Sequence, residues 1–367
     1  MNHALKSLYI PFTIHIDPME RLLLINFEKD PDSTYIGFEP QVFDDQINGK
    51  GILIIGWRKD GKVDVYHQAS LKLDSAKYDI TGKGLSNMVI RELLGSYFNV
   101  EKTGVKAFIE FLDIHGREIK LVINEENSSK RKPFGLLAPM GNAAENPSAL
   151  PLILLHDFYF VRREKTKIII SIANRLHEPD KLPLPLDWTF MYFARYSPDP
   201  LIVTLNPAFE GFLLPLNTKE KIVPHEEPEV ELDNDKSGSH IKKIQKSHGS
   251  HTVKLLFEPS FPDISIMEEQ SVEEGKFIVS GHSSTGRVEG KYRISKSNGI
   301  VEIIMVPSGG WIPNEKKWSL KFLYYVAKIF KKWPTTYEWK AELKLKEGKF
   351  FMKSAWTRTD RRLKSSK

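Results

Sequence analysis

Residues 134–196 read FGLLAPMGNAAENPSALPLILLHDFYFVRREKTKIIISIANRLHEPDKLPLPLDWTFMYFARY. A Pro/Gly/Asn loop opens the stretch, and three strand-like runs follow at 152–161, 167–173 and 188–196. Each run is apolar on both alternating faces, the pattern of a strand covered on both sides. His156, Asp157, Arg175 and Arg195 sit inside this apolar block. Polar groups so placed need partners, which makes the block the leading candidate for a site. His156 shares a face with Leu152, Leu154, Phe158 and Phe160, whereas Asp157 points the other way with Leu155, Tyr159 and Val161. The two neighbours therefore do not form a dyad with each other.

On the N-terminal side, strands are expected at 22–27 and 35–39, with turns at Asp30-Pro31 and Glu39-Pro40. GILIIGWR, KDGK and VDVYHQASLKL then spell a hairpin, with Asp60-Gly61 supplying the positive φ of a tight turn. In its second strand Val63, Val65, His67, Ala69, Leu71 and Leu73 share one face. Asp64, Tyr66, Gln68, Ser70 and Lys72 share the other, as in a half-buried antiparallel strand. Segment 86–98, SNMVIRELLGSYF, has the apolar spacing of a helix. A second hairpin is expected over 106–114 and 117–125, turning at His115-Gly116.

Segment 217–251 is rich in charge, Ser, Gly and His and reads as a linker or exposed excursion. Its histidines, His225, His240, His248 and His251, do not follow a zinc spacing. Strands resume at 252–258, 276–282, 287–294, 299–306, 337–346 and 349–358. Between them WSLKFLYYVAKIFKKW, 318–333, interleaves aromatics and lysines in a helical pattern. Many short strands with turn signals and few helices predict an all-β chain of antiparallel barrels or sandwiches. The expected units are an N-terminal domain over 1–216, the 217–251 linker, and a smaller C-terminal domain over 252–367.

The 367 residues carry a hydrophobic share of 41% and a charged share of 27%, the balance of a globular protein with room for two domains. Cysteine is absent, which excludes disulfides, thiol catalysis and thiolate metal sites and fits a reducing compartment. The N-terminus lacks an apolar h-region, and no run approaches the roughly 20 apolar residues of a membrane span, so a cytoplasmic protein is expected. The net charge of +6 is unevenly spread. Residues 316–367 hold 16 Lys/Arg against 4 acids, a net of +12, which leaves −6 for the rest.

A faint internal repeat relates FIEFLDIHGREIKLVINE…FGLLAPMGN…PLILLHDFYFV to FIVSGHSSTGRVEGKYRIS…IVEIIMVPSGG…LKFLYYVAKIF. Gly116-Arg117 answers Gly286-Arg287, and Pro139 and Gly141 answer Pro307 and Gly309. Two unequal β-barrel-like halves joined by a linker resemble the tandem lipocalin-like (calycin) proteins, the group that includes the carotenoid 1,2-hydratase-type enzymes. The resemblance covers nearly the whole chain and rests on strand pattern and the repeat. It implies that a barrel interior, or the seam between barrels, holds an apolar ligand. No catalytic residue is carried over from it.

The residues themselves suggest three functions. The first is binding of an apolar small molecule or lipid, with Trp57, His67, His156, Arg175, Trp188, Tyr192 and Arg195 lining the site. The second is acid–base catalysis of the hydratase, isomerase or cyclase type on an isoprenoid-like substrate, with His67, His156 and Asp157 as candidates. Against these stand satisfied core histidines, an Asp157 ion pair with Arg163, Arg175 or Arg195, and an aromatic stripe of Trp188, Phe190, Tyr192 and Tyr196 that simply fills the core. The third is contact with an anionic membrane surface through Lys317, Trp318, Lys321, Phe322, Tyr325, Lys328, Lys332 and Trp333, with nucleic acid the weaker partner. The alternative there is a helix packing its aromatics on the second half with its lysines in water. No cofactor and no metal are expected. The loop 138–146 lacks the spacing of a phosphate- or dinucleotide-binding motif, and no G-x-S-x-G or H-E-x-x-H motif occurs.

Overall fold

The computed structural model describes residues 8–79, 81–131, 133–139, 149–186, 188–216, 228–234, 238–249, 251–314, 321, 325 and 335–359. The chain is nearly all β, with short helical elements at Ala76–Asp79 and Ser283–Thr285. Among the described residues no helix is long and apolar enough to cross a membrane.

The described residues form three large sheets and a two-stranded one, Leu8–Tyr9 with Pro215–Leu216. The first runs, in spatial order, Ile14–Pro18, Leu201–Leu205, Leu150–Arg162, Met191–Ser197, Arg21–Asn26, Tyr35–Asp45, Gly49–Arg58, Val63–His67 and Leu85–Ile90. Phe134–Pro139 adds to it as a branch on Leu150–Arg162. The second sheet is Arg175–His177, Thr166–Ile172, Glu118–Glu125, Gly104–Leu112 and Tyr97–Glu101. The third orders Phe209–Phe212, Lys349–Arg358, Tyr337–Lys346, Ile300–Ile312, Arg287–Ser297, Val272–Ser280, His251–Phe261, Ser239–His248 and Glu229–Asn234. Among the described residues no pairing joins the two edges of any of these sheets.

The first sheet is the centre. One face packs on the second sheet, where Leu23, Ile25, Phe38, Ile54, Tyr66 and Tyr196 meet Val105, Ile109, Ile119, Leu121, Ile123 and Ile170. Its other face shares a single apolar core with the third sheet. Phe12 is the clearest joint: its ring centroid lies 4.9 Å from Phe257, 4.8 Å from Phe261 and 5.7 Å from Trp339. The segment is held by Thr13 and Asn206, whose side-chain and backbone bonds are both 2.9 Å. Trp356 Nε1 donates to the Leu205 carbonyl at 3.0 Å, a second tie across the same seam. In the third sheet two aromatic rings lie over cross-strand glycines. A Cβ on Gly290 would fall 2.3 Å from the Phe277 ring, and one on Gly275 would fall 2.6 Å from Tyr292. These are cross-strand pairs, Gly290 with Phe277 and Gly275 with Tyr292, so the ring occupies the room the glycine leaves.

Several expectations change. The 86–98 stretch is not a helix: Leu85–Ile90 pairs in parallel with Val63–His67, and Tyr97–Glu101 joins the second sheet. The open edge of Val63–His67 outweighs the helical spacing, and Gly95, at φ 70°, reverses the chain between the two strands. Glu39-Pro40 is not a turn, because Tyr35–Asp45 runs through it as one strand. The supposed linker contributes Glu229–Asn234 and Ser239–His248 to the third sheet, the first of them as its charged edge strand. In the repeat, Glu118–Glu125 pairs with Thr166–Ile172, whereas Arg287–Ser297 pairs with the very next strand, Ile300–Ile312. The two halves are thus wired differently. Of the lysine–aromatic segment only Lys321 and Tyr325 are described, both helical, with Tyr325 exposed. Lys317, Trp318, Phe322, Lys328, Lys332 and Trp333 lie outside the described residues.

A shared core predicts shared unfolding. Phe12→Ala should lower stability by about 3–5 kcal/mol and shift a single urea transition followed by tyrosine–tryptophan fluorescence and far-ultraviolet dichroism alike. Two separable transitions in the parent protein would contradict the shared core.

Candidate functional site

The face of the first sheet that meets the third carries Leu53, Ile55, Val63 and Val65 in its core. Glu39 sits among them, opposite Ile55, with only 4% of its surface exposed. A carboxyl in that position is costly to ionise unless it is paired. Its partners are neutral. Trp57 Nε1 donates to Oε2 at 3.1 Å and Gln41 Nε2 donates to Oε1 at 2.8 Å. Burial pushes the Glu39 carboxyl up to about 7, and the two hydrogen bonds and the field of Arg195 only partly oppose it. Among the described residues Glu39 has no ion pair. Gln41, 1% exposed, leaves its Oε1 buried without a hydrogen-bond partner among the described residues. One orphaned acceptor thus lies beside one protonatable acid.

Arg195 stands on the same side of the sheet. Its Nη1 donates to Asn26 Oδ1 at 2.9 Å and to the Phe193 carbonyl at 3.3 Å, and the guanidinium lies 4.1 Å from the Phe193 ring centroid. Burial lowers its pKa to about 10, with Glu39 the leading opposing charge. Tyr78 is buried in the same core, and burial, then Asp17 and Glu39, raises its hydroxyl above the ordinary tyrosine value. Together these groups present an acid able to give or take a proton near neutrality, an amide acceptor, an indole and a cation, in an apolar wall.

Of the residues expected from sequence, Trp57 and Arg195 are brought together here. His67 is on this face but is a satisfied structural group, with Nδ1 3.0 Å from the Gln68 carbonyl. His156 lies in the strand Leu150–Arg162, and its side chain is outside the described residues. Asp157 is half-buried, and its expected arginine partners are engaged elsewhere. Arg175 pairs with Asp30 at 2.5 Å, Arg163 lies over Phe190, and Arg195 bonds Asn26. Arg175 therefore leaves the site, exposed on the second sheet. Tyr192 packs against the opposite core, and Trp188 is 98% exposed, so the aromatic stripe does not form one wall. Sequence reasoning missed Glu39 and Gln41. The signal was there: an acid and an amide alternating in YIGFEPQVF, an otherwise apolar strand. Among the described residues no group of three or more His, Asp or Glu is placed to hold a metal ion.

The raised pKa sets a sign. The folded chain holds the Glu39 proton more tightly than the unfolded chain does. Its contribution is intact below the ordinary glutamate range and is lost as pH rises through about 7. Compared with Glu39→Gln, the parent protein should therefore lose on the order of 3 kcal/mol more stability between pH 4 and 8 in urea titrations. Parallel pH profiles would mean the carboxyl is not perturbed. No protein-family model, no curated protein and no solved structure matches this chain.

Proposed function

We propose that the chain binds an apolar small molecule or lipid carrying a hydroxyl or carbonyl group, seated against the Glu39 face of the first sheet. The observation that carries this is the unpartnered Gln41 Oε1 beside the neutral-donor-bound Glu39 carboxyl. A buried acceptor left open costs about 1–3 kcal/mol, and a ligand hydroxyl bonded there would recover it. Few convergent polar groups in an apolar wall are the composition of a small-molecule site. Binding of an apolar ligand, in a barrel interior or at the seam between barrels, is what the resemblance to tandem lipocalin-like proteins implies.

The perturbed carboxyl favours a second reading, in which Glu39 protonates or deprotonates an isoprenoid-like substrate as in a hydratase, isomerase or cyclase. An acid with a pKa near 7 is matched to such a task, and Arg195 would offset charge that develops nearby.

Native mass spectrometry of gently purified protein should show a lipid-like adduct, and a panel of apolar alcohols and ketones should raise the melting temperature. Gln41→Leu should abolish that shift, because the anchoring acceptor is gone. A clean apo mass with no thermal shift across the panel would remove the binding proposal. If a turnover is found, Glu39→Gln should keep ligand affinity and lower kcat by about 100-fold or more, with the parent's pH–rate profile inflecting near 7. Unchanged kcat would leave binding alone.

A further inference from the structure

Arg195 enters the Glu39 face with most of its donors unused. Strand register places it there. Arg195 stands opposite Leu24, and the pairs Leu22–Gln41 and Ile25–Phe38 set Leu24 opposite Glu39. Paired residues share a face, so Arg195, Leu24 and Glu39 form one row across three adjacent strands. Leu24 lies in the interior of the first sheet, yet it is half-buried and joins neither apolar core among the described residues. The next row carries Phe193 and Trp57, both half-buried, with Gly37 between Asn26 and Trp57 contributing no side chain. The cover over this face is therefore incomplete beside Arg195. The guanidinium uses only Nη1, toward Asn26 Oδ1 and the Phe193 carbonyl, and among the described residues Nε and Nη2 have no hydrogen bond. The acids whose charge reaches it are Glu39, Glu28 and Asp180, and none of them pairs with it. Glu28 accepts from Asn26 Nδ2 at 2.9 Å, and Asp180 accepts from the backbone of Glu28 and Lys29 at 2.8 and 3.1 Å. A half-buried cation with an open fork calls for an acceptor that the protein does not supply.

Resting on the binding function proposed above, we infer that the ligand is an apolar carboxylic acid. Its carboxylate accepts from Nε and Nη2 of Arg195, and its chain lies over Leu24 between Phe193 and Trp57. Nε and Nη2 present two parallel N–H groups, which match the two oxygens of a carboxylate. No cation is among the leading charges that act on Arg195, so the site offers one positive charge and suits a monoanion better than a phosphate. Below neutrality Glu39 keeps its proton and does not repel the bound carboxylate. Adjacent strands lie about 4.8 Å apart, so the row spans about 10 Å from Arg195 to Glu39. The open Gln41 acceptor stands beside its far end. An acid that also carries a hydroxyl toward Gln41 satisfies both ends. An alcohol, ketone or ester leaves the guanidinium without an anion.

Titration calorimetry of the full chain with dodecanoic acid, dodecanol and methyl dodecanoate tests this, at a mildly acidic pH where Glu39 is protonated. The parent protein should bind the acid about tenfold or more tighter than the alcohol or the ester, the difference made by a charge-assisted pair. Arg195→Met should remove that preference and still bind the alcohol and the ester. Arg195→Lys keeps the charge without the planar fork and should retain only part of the preference; it decides the matter if the methionine variant does not fold. A parent protein that takes the alcohol or the ester as tightly as the acid overturns the carboxylate assignment and leaves the apolar-ligand proposal standing. So does a variant of Arg195 that keeps the full preference for the acid. Failure of all three compounds to bind removes the apolar-ligand proposal itself, and this inference with it.

Discussion

The first sheet is covered on both faces, and most of the remaining structure follows from that burial. A strand with water on one side can turn its polar residues outward. Tyr35–Asp45, Gly49–Arg58 and Val63–His67 have no such side, since one face meets the second sheet and the other shares a core with the third. Every ionisable group buried on these strands must then be neutralised by neighbours or change its protonation.

Three buried carboxylates show the alternatives. Asp64, fully buried, accepts from Arg58 at 3.0 Å, Asn87 at 2.7 Å and Tyr35 at 3.0 Å. Glu125 faces Arg162 at 2.7 Å, and that guanidinium is completed by the carbonyls of Ser129, Thr103 and Asn127 at 2.8, 2.8 and 2.7 Å. Both are closed networks: the first ties strands within the first sheet, and the second joins the first sheet to the second. Glu39 differs in kind. It has two neutral donors and no bonded cation among the described residues, and its neighbour Gln41 is left with an open acceptor. Other buried polar atoms, Thr81 Oγ1, Ser197 Oγ and Trp339 Nε1 among them, also have no partner among the described residues, and what sets Gln41 apart is the raised-pKa acid bonded beside it.

The sequence made the all-β class legible because alternation and turn glycines are local signals. Gly116, Gly299 and Gly348 each take the positive φ that their hairpins require. What stayed hidden depends on distant segments. Asp64 and Tyr66 read as a solvent face, and only the second sheet, built from residues 97–177, makes that face interior. The 86–98 stretch carries helical spacing, and a strand edge decides otherwise. Arg175 and Arg195 look equivalent in the sequence, yet one reaches Asp30 at the surface and the other lies within the field of Glu39. Glu39 itself was passed over because an acid followed by proline resembles a turn, whereas Pro40 here pairs with Ile54 inside a sheet.

The strand that carries Arg195 is also the continuation of the hairpin that carries Trp188. Leu182, Leu186 and Met191 are buried in the core that includes the apolar neighbours of Glu39, whereas Leu184, Trp188 and Phe190 are exposed. Burial is the largest cause of the raised Glu39 pKa, so the closing of this shared core over the sheet face is what holds the carboxyl above its ordinary range.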